Sequence, residues 1–146
     1  MDCIRNKHKW NMLGALGGQI IEVADGFAKA ELPLSEEVMQ PTGVFHAGAI
    51  TMLADEVAST AIVGTHASDP AAKDKLFPYS VQISLNLLTN DPIGPLTAEA
   101  RVVKKGRLTV VDTVVITSKG ETAALMRSTH MMVDLKKAGP HRKLQN

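Results

Sequence analysis

At 146 residues the chain has the length of about one domain and enough of it to bury a core. With 16 Lys and Arg against 15 Asp and Glu, its formal charge of +1 gives no electrostatic case for a nucleic-acid or acidic-polymer partner. The single cysteine, Cys3, can form neither an internal disulfide nor a metal cluster, so nothing points to an oxidising compartment and the cytoplasm is the expected location.

Arg5, Lys7, His8 and Lys9 ahead of Met12 to Leu16 imitate a signal peptide, but Asn11, Gly14, Gly17 and Gly18 interrupt the apolar run that such a peptide needs. No run approaches the ~18 apolar residues of a membrane span, so no membrane partner is expected. Composition leaves a short organellar presequence open. Residues 1–9 and 136–146 are expected to be flexible ends of a single domain covering 1–146.

A short helical turn is expected around Trp10 to Leu16. Gln19 to Asp25 and Phe27 to Leu34 then read as two strands joined at Asp25-Gly26, a strong hairpin signal. Gly48 to Gly64 is dominated by Ala, Ile, Leu, Met and Val, the composition of a helix buried nearly all round. Thr65 to Lys75 is polar, holds Ser68-Asp69-Pro70, and reads as an exposed loop. Strands follow to the end of the chain. Tyr79, Val81, Ile83, Leu85 and Leu87 alternate with Ser80, Gln82, Ser84 and Asn86, which predicts one packed face and one polar face. Beyond the turn-rich Asn90 to Pro95, Leu96 to Lys105, Leu108 to Thr117 and Glu121 to Val133 complete four strands expected in meander order. The fold class is therefore α+β, an antiparallel sheet curled around one central helix. Pairing with a second copy would cover the sheet's edges, so a homodimer is expected.

The buried helix carries one polar stripe. Thr51, Asp55 and Ser59 recur at i, i+4 and i+8 and so share a face. A carboxylate on such a helix costs several kcal/mol unless it is partnered or used, which marks Asp55 as a candidate functional group. Glu56 lies ~100° further round the helix and reads as a surface or subunit-interface residue. His66, His130 and His141 have no spacing that suggests metal ligation, and no metal is expected.

Gly43-Val44-Phe45-His46-Ala47-Gly48-Ala49, followed by Leu53-Ala54-Asp55-Glu56, resembles the G-x-x-H-G-G-A and L-x-D/E segments of the hotdog-fold thioesterases. The similar branch is that of the phenylacetate-degradation thioesterases, the Arthrobacter-type 4-hydroxybenzoyl-CoA thioesterase and the human thioesterase-superfamily acyl-CoA hydrolases. Val81 to Leu87, Ala100 to Arg107 and Ser128-Thr129-His130 extend the likeness over most of the chain. The resemblance implies a hotdog fold of five to six strands, an acyl-CoA substrate, hydrolysis of its thioester to free acid and CoA, no cofactor beyond the CoA of the substrate, and a dimer or dimer of dimers. It puts the catalytic carboxylate on Asp55, the side-chain amide on Gln40, the hydroxyl one turn past the carboxylate on Ser59, and the backbone N–H that polarises the carbonyl on Ala47. Here alanine replaces the family's glycine. His46 and Gly48 would line the substrate, Gln82 matches the serine that some members use on the first long strand, and Lys105, Gly106 and Arg107 fall where the family meets the CoA phosphates.

Helix geometry constrains the chemistry independently. Asp55 is eight residues beyond Ala47, or about 12 Å along a helix at ~1.5 Å per residue, too far for both to reach one carbonyl. One site would then need two chains, with Asp55 and Ser59 of one facing Gln40, His46 and Ala47 of the other. Two other readings remain in view at this stage: a hotdog hydratase or dehydratase, and a non-catalytic acyl-CoA-binding protein.

Overall fold

In the computed structural model, residues 12–67, 69–70 and 76–136 are described. Cys3, Trp10, most of the basic tail and much of the loop expected over Thr65 to Lys75 lie outside them. A short helix α1 (Met12–Ala15) precedes a hairpin of β1 (Gln19–Ala24) and β2 (Phe27–Leu32). A 3-10 turn (Glu36–Val38) leads to the long helix α2 (Ala47–Thr65). Four strands follow: β3 (Leu76–Leu87), β4 (Leu96–Lys104), β5 (Leu108–Ile116) and β6 (Thr122–Asp134).

The six strands form one antiparallel sheet in the order β1-β2-β4-β5-β6-β3. Only β4, β5 and β6 form a meander, which corrects the expected four-strand meander. The chain leaves β3 and crosses beneath the ends of β6 and β5 before entering β4 beside β2. Side chains pin that crossing. The backbone N–H groups of Leu88 and Thr89 donate to the Ala123 carbonyl, and the buried Asp91 carboxylate accepts the N–H groups of Ile93, Gly94 and, from the β5–β6 turn, Ser118. Burial alone would raise the Asp91 pKa, but these donors hold it far below the usual carboxylate range. Asn90 adds a two-way clamp, donating to the Phe45 carbonyl and accepting the Phe45 N–H just ahead of α2.

Strand alternation places Ala28, Ala30 and Leu32, Leu96, Ala98 and Ala100, Val111 and Val115, and Ala124 and Met126 on the inner face, all buried. Helix α2 meets this face with Ile50, Leu53, Ala54, Val57, Ala58, Ala61 and Ile62. Alanines on both sides let the helix lie close to the sheet. The large side chains among them contribute roughly 1.5–3 kcal/mol each by leaving water. Near its end α2 runs against the β1–β2 turn, where a Cβ on Gly64 would collide with the Ala24 carbonyl oxygen, so only glycine fits. By length and hydropathy (1.2) α2 could cross a membrane, yet half of that window is buried inside this fold and the helix carries Asp55 and Glu56.

Candidate active site

The approach to α2 is built by backbone turns. Gln40 N–H donates to the Val44 carbonyl, Gly43 N–H returns to the Gln40 carbonyl, and His46 N–H donates to Val38. The Gln40 amide donates to the Thr42 hydroxyl at 2.7 Å, fixing its orientation. His46 caps the helix in extended geometry (φ −64°, ψ 137°), and its Nδ1 accepts the Gly48 N–H at 2.8 Å. A Cβ at position 48 would stand 3.0 Å from that nitrogen, so Gly48 makes room for the capping ring. Ala49 and Ile50 both donate to the His46 carbonyl. Among the described residues, Ala47 therefore keeps the one uncommitted N–H of the first turn, at the positive end of the helix dipole. Gly48, expected to line the substrate, has its N–H taken by His46.

Two turns further along, Asp55 and Ser59 face one open pocket of about 330 Å³, at the small end of ligand-site volumes. Glu56, Phe77, Pro78, Tyr79 and Ser80 complete its lining, with the Phe77 and Tyr79 rings edge to face at 5.9 Å. Glu56 thus turns into the pocket beside Asp55, where burial first and the neighbouring Asp55 charge second raise its pKa, opposed by a backbone N–H of Leu13. Thr51, the third member of the stripe, donates its hydroxyl back to the Ala47 carbonyl instead.

The strand residue that meets Asp55 is Ser80, whose hydroxyl donates to Asp55 Oδ1 at 2.6 Å. Gln82, expected there, is exposed further along β3. A bulge makes the difference. Ser80 pairs with His130 and Gln82 with Thr129, so Val81 is the extra residue and the pleat changes phase. Ser80 joins the inner face with Ile83, Leu85 and Leu87, whereas Gln82 falls on the outer one. His130, opposite Ser80, is fully buried; its Nδ1 lies 3.3 Å from Ser80 Oγ and its Nε2 2.7 Å from the buried Ser128 hydroxyl. Burial lowers the His130 pKa, with the Asp55 charge pulling the other way. The Asp55–Ser80–His130–Ser128 chain was not read from sequence, although Ala124, Met126, Ser128 and His130 share one strand parity, the signal that would have put both polar residues inside.

Lys105, Gly106 and Arg107 form the exposed turn between β4 and β5, with the Gly106 carbonyl accepting from Thr109 at 3.2 Å. Lys105 lies near the C-terminal end of α2, where burial first and the Lys105 charge second lower the His66 pKa, with the Asp69 and Asp25 charges pulling the other way. One subunit therefore brings Asp55, Ser59 and Ser80 together, and leaves Gln40, His46 and Ala47 two helical turns from them and the basic turn beyond.

No family model matches the chain. The comparison that decides its relationship is with a 1,4-dihydroxy-2-naphthoyl-CoA hydrolase of Listeria monocytogenes, 30% identical over 122 residues, spanning 84% of this chain and 93% of the relative. This chain belongs to the hotdog-fold thioesterases. It is an acyl-CoA thioesterase, a thioester hydrolase of that superfamily. Solved structures agree on the fold. A mutant of thioesterase PA1618 from Pseudomonas aeruginosa superposes with a TM-score of 0.78 at 23% identity, over 91% of this chain and 93% of that one. The protein smu.793 from Streptococcus mutans, bound to acetyl-CoA, gives 0.70 at 20% identity, over 81% and 90% of the two chains. In this thioesterase the pocket carboxylate of Asp55 and the uncommitted N–H of Ala47 lie two helical turns apart on one helix.

Proposed function

We propose that the enzyme hydrolyses the thioester of a small aryl or fatty acyl-CoA, with Asp55 as its reactive carboxylate, at sites shared between two subunits. The observation that carries this reading is Asp55 itself: a half-buried carboxylate in an acyl-sized pocket, with Oδ1 held by Ser80 and Oδ2 without a partner among the described residues. Two routes use the same free oxygen. As general base, Oδ2 takes a proton from water while the water oxygen bonds to the carbonyl carbon; as nucleophile, it forms that bond itself and water later cleaves the anhydride. In either, the C–S bond breaks and CoA leaves as the thiolate, which is protonated.

Negative charge builds on the carbonyl oxygen, and the Ala47 N–H of the second subunit would receive it, with Gln40 and His46 beside it. Ser59 would orient water. Gly48 serves by admitting the His46 cap, Gln82 faces outward toward the CoA arm, and Lys105, Gly106 and Arg107 meet the CoA phosphates. The reaction needs no metal or cofactor. An aryl acyl group is favoured by the Phe77–Tyr79 pair at the pocket wall and by the aryl-CoA substrate named for the Listeria relative. We further infer a homodimer, assembled as a dimer of dimers, working in the cytoplasm without nucleic-acid or membrane partners.

A panel of acyl-CoA substrates followed by thiol release tests this. Aryl-CoA thioesters should be hydrolysed, and Asp55→Asn should lower kcat at least about 10³-fold while acyl-CoA still binds, since the change removes the reacting oxygen's charge and little volume. Undiminished turnover in Asp55→Asn would overturn the assignment.

A further inference from the structure

We propose that Ser128 is a positioning residue that commits the proton of His130 to Nδ1, and through it the Ser80 hydroxyl to Asp55. The proposal rests on the reading of Asp55 as the reactive carboxylate, and it follows from counting protons along four side chains. Ser80 has one hydroxyl proton and two neighbours, Asp55 Oδ1 at 2.6 Å and His130 Nδ1 at 3.3 Å. An ionised carboxylate can only accept, so the Ser80 proton goes to Asp55. Ser80 Oγ can then only accept from the ring, a bond that forms when Nδ1 carries the N–H. A neutral imidazole has one such proton, which leaves Nε2 a bare acceptor inside a residue with no solvent exposure.

Ser128 supplies what Nε2 needs. Its hydroxyl lies 2.7 Å away, is itself buried, and is the polar partner of that nitrogen among the described residues. The placement is a property of the strand: Ser128 and His130 are two apart on β6, hence on the same inner face, with Ile83 and Ser80 opposite them. All three hydrogen bonds then run one way, Ser128 to His130 to Ser80 to Asp55. Removing the Ser128 hydroxyl orphans Nε2 and frees the ring to move its proton there. The lone pair of Nδ1 would then face Ser80 and compete with Asp55 for its proton. Asp55 would lose the fixed partner on Oδ1 that leaves Oδ2 aimed into the pocket.

Nitrogen-15 NMR of histidine-labelled protein at neutral pH reads the tautomer directly. The wild-type enzyme should show His130 with its proton on Nδ1, and Ser128→Ala should show the proton redistributed to Nε2. Ser128→Ala should also lower kcat about tenfold with KM within about twofold, and should add nothing to the loss caused by His130→Gln. If Ser128→Ala does not fold, Ser128→Cys, close in size and a weaker donor, takes its place in the same measurements. A wild-type His130 protonated on Nε2, or an unchanged kcat in the Ser128 variant, overturns the proposal. The wild-type tautomer can be read even if no acyl-CoA is hydrolysed, so a failure of the Asp55 reading remains distinguishable.

Discussion

Asp55 is legible in the sequence because a carboxylate on a helix of alanines and branched aliphatics conflicts with its surroundings. The 3.6-residue period that set it beside Ser59 is reproduced in their common pocket. Ser80 was not legible. It alternates with Tyr79 and Val81 as a polar outer-face residue, and no glycine or proline next to Val81 signals the bulge that turns it inward. His130 was half legible: strand parity places it inside beside Ser128, but Ser80, the neighbour that ties it to Asp55, lies on β3, fifty residues away in sequence. These histidines make stability depend on pH. Burial lowers the pKa of both His130 and His66 below 6.5. The unfolded chain titrates at the ordinary value, so between that value and the folded ones it binds more protons than the native state. Their contribution is fully present above about pH 6.5 and is lost as pH falls through the folded values. The melting temperature should therefore drop between about pH 7 and about pH 5, and His130→Gln should flatten the slope. A melting temperature constant over that interval would contradict this account of both rings.

Elements were easier to read than their arrangement. The period-two strands, the Asp25-Gly26 turn and the apolar helix fall within a few residues of their expected bounds, because each signal is local. Helix α2 gains one residue at each end beyond Gly48 to Gly64, and β3 begins earlier, at Leu76. The strand order is not local. It depends on the crossing between β3 and β4 being held to the β5–β6 turn by Asp91, and a turn-rich segment such as Asn90 to Pro95 fits a hairpin equally well. Asp91→Ala would leave three backbone N–H groups of that crossing without their acceptor. At roughly 1–3 kcal/mol for each buried group left unpaired, the loss should be about 3 kcal/mol or more, read as a lower midpoint in denaturant unfolding. A midpoint within error of the wild type would show that the crossing is held by something else.

At the scale of the whole molecule, the sheet among the described residues ends at two edges, β1 and β3. Edge β3 is twelve residues long, and on its inner face Ile83 and Leu87 remain 40% and 49% exposed beyond the reach of α2. The alternation in β3 predicts an apolar packed face, yet within one chain that face is only partly covered. A second copy paired along β3 would satisfy the open ladder, cover these side chains and bring another helix start toward Asp55. This is where the proposed dimer and the proposed chemistry become one claim. Ala47 is the first residue of α2, a position that tolerates proline, and His46 already has the extended geometry that a following proline requires. Ala47→Pro should therefore delete the donor and leave the helix standing. Heterodimers of an Asp55→Ala chain and an Ala47→Pro chain, isolated through two different affinity tags, put both lesions in one site and leave the other intact. With each parent inactive, the account predicts about half the wild-type kcat for such heterodimers. A heterodimer no faster than its parents would contradict a site shared between subunits.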